Sequence, residues 1–419
     1  MAGNDIDMAV EPASIKGWSN NLFHPVVEEF AKNFRERDEL GASLCIYHEG
    51  RLALDLHGGH VDSARQQPWT TDTLVPVMSS TKGLAALCAH LLIDRGQLDP
   101  EAPVSEYWPE FVANGKELAR VSMILNHSLG LPVLKTPVKQ GGFLDFDYIC
   151  ELLANEKPFW KPGTSVGYHG LTYGHLLGEV FRRITGTTIG QFLRREIAEP
   201  LSADVWIGLP ESERSRVSRI EFIEPSEKGN WAETESTRLI HSDPESIPAL
   251  FVLNSGGYAT GDAVNSAEAQ AVEIPAGNAL ANGRGLATVY APFATSGQFR
   301  DKQWVGQDTL YRMEEVSSAT SLDQTLYIGT RWSLGFQKSV DNRWSGIPES
   351  SMVLGSRAFG HGGAGGSLGF ADPECGISFG YAMNRMAPTP GVPEKCQALV
   401  DATYRALGYR SCGSGSWRR

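Results

Sequence analysis

The sequence predicts an α/β chain of the α+β kind: an antiparallel sheet with flanking helices, drawn from both chain ends, around a largely helical insert. Three observations predict it. Near the start, ASLCIY (42–47) and LALDL (52–56) flank the turn His48-Glu49-Gly50, a β-hairpin signature with apolar alternation. Near the end, SLGFA (367–371) and GISFGYAM (376–383) are strand-like and flank the turn Asp372-Pro373-Glu374. Between about 80 and 200, helical patterns succeed one another through Pro- and Gly-rich turns.

In chain order, residues from Pro25 to Leu40 place Val27, Phe30 and Phe34 on one helical face, so the chain is expected to open helix, strand, strand. The insert holds TKGLAALCAHLLIDRG, VSMILNHS, LTYGHLLGEVFRRITG and IGQFLRREIAEPL, all read as helices. Residues 225–285 are polar and rich in Gly and Ser, and read as irregular, a wall or lid for a cleft. After the break MAPTPGVPE, a helical pattern runs through Leu399, Thr403 and Leu407 and stops at Gly408. The tail SCGSGSWRR reads as a frayed end. The expected division is an α/β domain from 1–78 and 285–419 and a mainly helical domain from 79–284.

A chain of 419 residues, 41% hydrophobic and 21% charged, can bury an ample core. Its net charge of −12 argues against nucleic acid or an anionic membrane as partner. No apolar run reaches the ~18 residues of a membrane span, and the acidic start MAGNDIDMAVEPASIKGW lacks a signal-peptide core. The six cysteines are scattered without a C-x-x-C pair, which reads as free buried thiols in a cytoplasmic protein and gives no zinc signature. No metal or cofactor is expected. The sequence carries no signal of oligomeric state.

Two serines compete for the role of nucleophile. Gly365-Gly366-Ser367-Leu368-Gly369 is a full G-x-S-x-G. A nucleophile elbow needs a helix after its serine and a histidine further along the chain. The segment after Ser367 is strand-like, and the last of the ten histidines is His361. Ser79-Ser80-Thr81-Lys82 is the better candidate. This S-x-x-K comes after the extended run TLVPVM and opens the strongest helical pattern in the chain. Three-residue spacing puts Ser79 and Lys82 on one helical face, the helix N-terminus favours negative charge on the serine oxygen, and a desolvated lysine can act as base. Taken alone, the same pattern also describes an N-capping serine beside an exposed lysine.

Further segments give the pattern a context. VMSSTKGLAAL, VSMILNHSLGLP (121–132), FWKPGTSVGYHGLTYGHLLGEVFRRITG (159–186), EIPAGNALANGRGLATVYAPFATSG (273–297) and FGHGGAGGSLGFADPECGISFGYAMN (359–384) occur in that order. Together they resemble the serine β-lactamase and penicillin-binding-protein superfamily, in its class C-like branch, most like family VIII carboxylesterases. The resemblance implies a β-lactamase-like fold with the active site between the α/β domain and the helical insert. It implies Ser79 as acylated nucleophile, Lys82 as its base or charge partner, and Tyr168 as proton carrier, matching the tyrosine of the family's Y-x-N. It implies His361-Gly362-Gly363 as the third motif, usually K-T-G, on a strand that also carries Ser367, and the N–H groups of Ser79 and Ala364 as an oxyanion hole.

Two positions depart from that pattern: Gly170 replaces the Y-x-N asparagine and His361 the K-T-G lysine. Both departures point from anionic antibiotics towards uncharged esters, with His361 expected to titrate near neutrality. His169 and Trp332 are candidates to line the site, against a structural role for the first and core packing for the second. Trp160 reads as core, and His127 as a buried, hydrogen-bonded histidine. The function implied is hydrolysis of small-molecule, short-chain carboxylic esters through a Ser79 acyl-enzyme. The alternatives are a β-lactamase, a D-amino-acid peptidase or amidase, an acyltransferase, or a non-catalytic scaffold.

Overall fold

The hairpin expected at 42–56 lies at the middle of a seven-stranded antiparallel sheet. The computed structural model describes residues 3–11, 13–222, 234–260, 262–345, 350–387, 391–411 and 415–419. The strands are β1 (Gly3–Val10), β2 (Ala13–Asn20), β3 (Gly41–His48), β4 (Arg51–Gly59), β5 (Phe359–Gly362), β6 (Leu368–Asp372) and β7 (Ile377–Met383). Their order is β1-β2-β4-β3-β7-β6-β5, so the two chain ends meet where Cys45 of β3 faces Gly380 of β7.

Six helices matter for the site: α1 (His24–Glu36), α2 (Ser80–Asp94), α3 (Phe146–Asn155), α4 (Thr172–Thr185), α5 (Gly283–Ala294) and α6 (Glu394–Ala406). Side chains alternate across a strand, and β3 uses that period to serve two cores. Leu44 and Ile46 join Val27, Phe30 and Phe34 of α1 and Leu399 and Val400 of α6. Cys45 and Tyr47 join a larger core with Leu84 and Leu87 of α2, Leu176 and Leu177 of α4, and Leu286 and Tyr290 of α5. Helix α2 is therefore enclosed on nearly every side, and Ser80 through Ile93 are all buried.

Three expectations are corrected. The chain does not open with a helix, because β1 and β2 precede α1. Ile6, Met8 and Val10 alternate with Asp5, Asp7 and Ala9, and Met8 faces Ile15 across the pair. The acidic residues belong to an edge strand, where charge discourages further pairing. The tail is not frayed. Trp417–Arg418 pairs with Arg410–Ser411, and Trp417, 2% exposed, stacks on Tyr404 at 5.7 Å and 10°. Lastly, the described part of 225–285 contains the helices Glu235–Ser242, Ile247–Leu253 and Ala267–Ala271. Thr234, Ser246 and Ser266 cap them, accepting from the N–H groups of Thr237, Ala249 and Ala269. Some of the small polar residues that suggest irregular chain are thus N-caps. Residues 225–233 lie outside the described residues.

Cys45, Cys88, Cys150, Cys375 and Cys396 are free and buried, while Cys412 lies outside the described residues. Among the described residues, no helix is long and apolar enough to cross a membrane.

The buried indole makes the tail part of the core. Trp417→Ala should lower the urea unfolding free energy by about 3–5 kcal/mol, the usual loss for a buried aromatic. An unchanged midpoint would return the tail to a frayed end.

Candidate active site

The turn entering α2 is strained and tightly held. Met78 has φ +48°, a conformation that few L residues adopt, and Ser79 comes next at φ −68° and ψ −7°. Such a residue persists only where its surroundings over-determine it. The Val77 N–H donates to Ala279 O at 2.8 Å. Thr81 Oγ1 donates to Met78 O at 2.5 Å and accepts from the Ala279 N–H at 2.9 Å. Ser367 Oγ donates to Val77 O at 2.7 Å and lies 3.2 Å from Ser80 Oγ. Ser367 is 1% exposed and stands at the entry to β6, one strand over from His361 rather than on the same strand.

The N-cap alternative for Ser79 and Lys82 fails at both residues. The Ser79 side chain makes no capping bond, and Lys82 is 1% exposed. Lys82 Nζ lies 3.2 Å from Ser79 Oγ and donates to Ala276 O at 2.8 Å. Among the described residues it has no carboxylate partner; the rings of Tyr168 and Tyr173 lie 4.7 and 5.9 Å from its nitrogen. Burial alone holds its pKa well below the ordinary 10.5. Tyr168 Oη donates to Ser79 Oγ at 2.7 Å. Burial raises the Tyr168 pKa, the bond to Ser79 lowers it, and the charge of Asp323 raises it.

The third-motif strand closes the other side. A Cβ on Gly363 would stand 2.2 Å from both Val77 O and Ser367 Oγ, so only glycine lets the chain after β5 pack against the turn that precedes Ser79. Ala364 is exposed and Ser79 half-buried, and the N–H groups of both donate to no acceptor among the described residues.

A family profile described as Beta-lactamase matches residues 28–403. The chain belongs to the beta-lactamase family. It is 32% identical over 372 residues to the esterase/beta-lactamase LipL of Mycobacterium tuberculosis, covering 88% of this chain and 83% of that one. A crystal structure of a family VIII carboxylesterase superposes with a TM-score of 0.81 at 33% identity, over 94% of this chain and all (100%) of that one. A penicillin-binding-protein homologue from Caulobacter crescentus superposes at 0.82 with 33% identity, over the same shares of 94% and 100%.

This beta-lactamase-family chain uses its departures differently from the sequence-based expectation. His361 does not titrate near neutrality: burial, then the charge of Lys82, push its pKa to about 3, against a bond to Gly362 O. At Gly170 a Cβ would meet the Phe251 ring at 1.9 Å, so an aromatic side chain from Ile247–Leu253 occupies the space an asparagine would enter. His169 does not line the site. Its Nδ1 faces Gly167 O at 2.7 Å and its Nε2 accepts from the Leu131 N–H at 3.1 Å, so both nitrogens serve the backbone. His127, at φ +62°, is buried and accepts from the His169 N–H at 3.1 Å. Trp332 is buried and stacks on the Tyr168 ring at 5.7 Å and 13°. Trp160 is half-buried and donates from Nε1 to Ser128 O at 3.1 Å.

Sequence reasoning misses three groups: the Ala276 carbonyl under Lys82, the Ser367 hydroxyl under Val77, and Asp323 behind Tyr168. The first is backbone and leaves no mark on the sequence. Asp323 lies 155 positions from the residue it serves.

Burial holds seven histidines below the ordinary 6.5: His90 at about 4, His169 at about 3, His175 at about 4, His361 at about 3, His127 well below, and His48 and His57 lowered too. The unfolded chain takes up these protons below pH 6.5 and the folded chain does not. Stability is therefore full above about pH 6.5 and falls as pH drops towards 4. The urea midpoint should decline steadily across that window, and the His361 ring resonance should stay flat in NMR between about pH 5 and 8.

Proposed function

We propose that this chain is a serine carboxylesterase that hydrolyses short-chain carboxylic esters through an acyl-enzyme on Ser79. One observation carries the reading: Ser79 Oγ sits 2.7 Å from a buried phenol and 3.2 Å from a buried amine that has no carboxylate partner among the described residues. Burial acts oppositely on these two groups, depressing the lysine and raising the tyrosine. Burial thus favours the deprotonated lysine and the protonated tyrosine.

That division sets the chemistry. Lys82 Nζ takes the Ser79 proton as Oγ attacks the ester carbonyl carbon. The N–H groups of Ser79 and Ala364 hold the tetrahedral oxyanion. When the C–O bond breaks, Tyr168 gives its proton to the leaving alkoxide, and the Lys82 ammonium returns one to Tyr168. In the second half, water attacks the acyl carbon and gives one proton to the Lys82 amine; as the C–Oγ bond breaks, Tyr168 donates its proton to Ser79 Oγ and the Lys82 ammonium restores the phenol.

The neutral state of His361 bears on the substrate. A neutral imidazole offers no fixed charge to a carboxylate, which favours uncharged esters over anionic β-lactams. The free buried thiols suit a reducing compartment, and we place the enzyme in the cytoplasm.

Ser79→Ala should abolish both p-nitrophenyl butyrate turnover and labelling by a fluorophosphonate, read by intact mass. Ser367→Ala should retain both and lose about 1–3 kcal/mol of stability, because Val77 O and Ser80 Oγ lose a buried partner. The opposite pattern would overturn the assignment. A chromogenic cephalosporin should turn over far more slowly than the ester. The acid limb of kcat/KM should belong to Lys82 and lie well below the ordinary lysine range: activity rises with pH through it, because only the free amine accepts the serine proton. An acid limb unchanged in Lys82→Ala would assign it elsewhere.

A further inference from the structure

Asp323 is 0% exposed, yet no positive side chain meets it at hydrogen-bond distance among the described residues. Its Oδ1 accepts from the N–H groups of Tyr168 at 3.0 Å, Thr325 at 2.9 Å and Leu326 at 2.9 Å. Its Oδ2 accepts from Thr330 Oγ1 at 3.2 Å. All four partners donate, the environment an ionised carboxylate requires. Burial raises its pKa above the ordinary carboxylate value, and these donors act against that rise. The neighbouring backbone adds a second tie, Gln324 N–H to Val166 O at 3.0 Å. The strand holding Thr330 is Thr330–Trp332, so the same carboxylate also fixes the indole that stacks on the Tyr168 ring.

We propose that Asp323 is a positioning residue for Tyr168: it fixes that residue's backbone and the plane of its ring, and its charge makes the phenol hold its proton. This rests on the reading of Tyr168 as proton donor to the leaving group. The titratable groups facing Tyr168 are Lys82 from α2, Tyr173 from α4, His127 from the loop after Val121–Leu125, His361 from β5, and Asp323. Burial favours the neutral form of the first four. Asp323 is buried as well, but it accepts four hydrogen bonds, and these favour its charged form against burial. A negative charge at this place opposes tyrosinate and preserves the donor until the alkoxide departs.

The test uses Asp323→Asn in the full chain. Asparagine keeps an oxygen for the three N–H donors and removes the charge. In tyrosine labelled with carbon-13 at Cζ, with the Tyr168 signal assigned through Tyr168→Phe, the Asp323→Asn protein should titrate Tyr168 at lower pH than wild type, at a similar melting temperature. Turnover of ethyl butyrate, whose alkoxide needs a proton, should fall more than that of p-nitrophenyl butyrate, whose phenolate does not, with KM unchanged. Asp323→Ala, which also frees the backbone, should lose on the order of 10²-fold in kcat for the alkyl ester. If Asp323→Asn does not fold, Thr330→Val keeps the charge and loosens the Trp332 strand. Its kcat for ethyl butyrate should fall at constant KM, and an unchanged kcat would overturn the proposal. Coincident tyrosine titrations and an unaltered ratio between the two esters would reduce Asp323 to a loop anchor. Phosphonate labelling of Ser79 in the same proteins reports the esterase reading separately, and the titration needs no turnover.

Discussion

The structure is organised around an amine with no carboxylate counter-ion among the described residues. Lys82 is 1% exposed, and its polar contacts are the Ser79 hydroxyl and the Ala276 carbonyl. Burying an unpaired ammonium costs several kcal/mol, so burial lowers the pKa and favours the neutral amine. That enclosure needs the whole molecule. α2 supplies the residue, the Ala276 carbonyl accepts from its nitrogen, and the rings of Tyr168 and Tyr173 stand 4.7 and 5.9 Å from it.

One physical cause then assigns several protonation states. Loss of solvent disfavours whichever form is charged, so it lowers the amine and the imidazoles and raises the phenols. The direction is opposite for Lys82 and Tyr168, and both touch one serine oxygen. Pairs of groups pushed apart in this way divide base and acid roles between them. His361 is caught in the same field. A histidine on a strand beside a cleft has the makings of a pH sensor, but its own burial and the neighbouring amine keep it neutral.

The legible part of the sequence is local. Ser79 and Lys82 are one turn apart on a helix, and the strand pairs around Gly50 and Pro373 carry their own turn residues. Tyr168 is reached only through ordered resemblance, because its contact to Ser79 spans 89 positions. Some signals are present but point the wrong way. The alternation Ile6, Met8, Val10 is masked by the acidic residues that protect an edge strand, and Thr234, Ser246 and Ser266 have the composition of loop yet act as caps. Other features have no letter at all. A backbone carbonyl under Lys82, or an aspartate whose four partners are three amides and a hydroxyl, emerges only when distant segments meet.

The two serines show why a short pattern is a weak guide to chemistry. Ser367 and Ser79 present the same hydroxyl, and their surroundings decide what it can do. Ser367 Oγ is spent on a carbonyl, lies beside a second hydroxyl, and is closed to solvent. With neither base nor access it cannot become a nucleophile. The glycines of its motif have their own cause: Gly365 and Gly366 sit at φ +87° and +132°, and Gly363 just before them meets Val77. They turn the chain from β5 into β6 close against the strained Met78. The esterase-like pattern at 365–369 is the trace of a tight turn that braces the residue before Ser79. Its serine holds the carbonyl of Val77, two residues before Ser79.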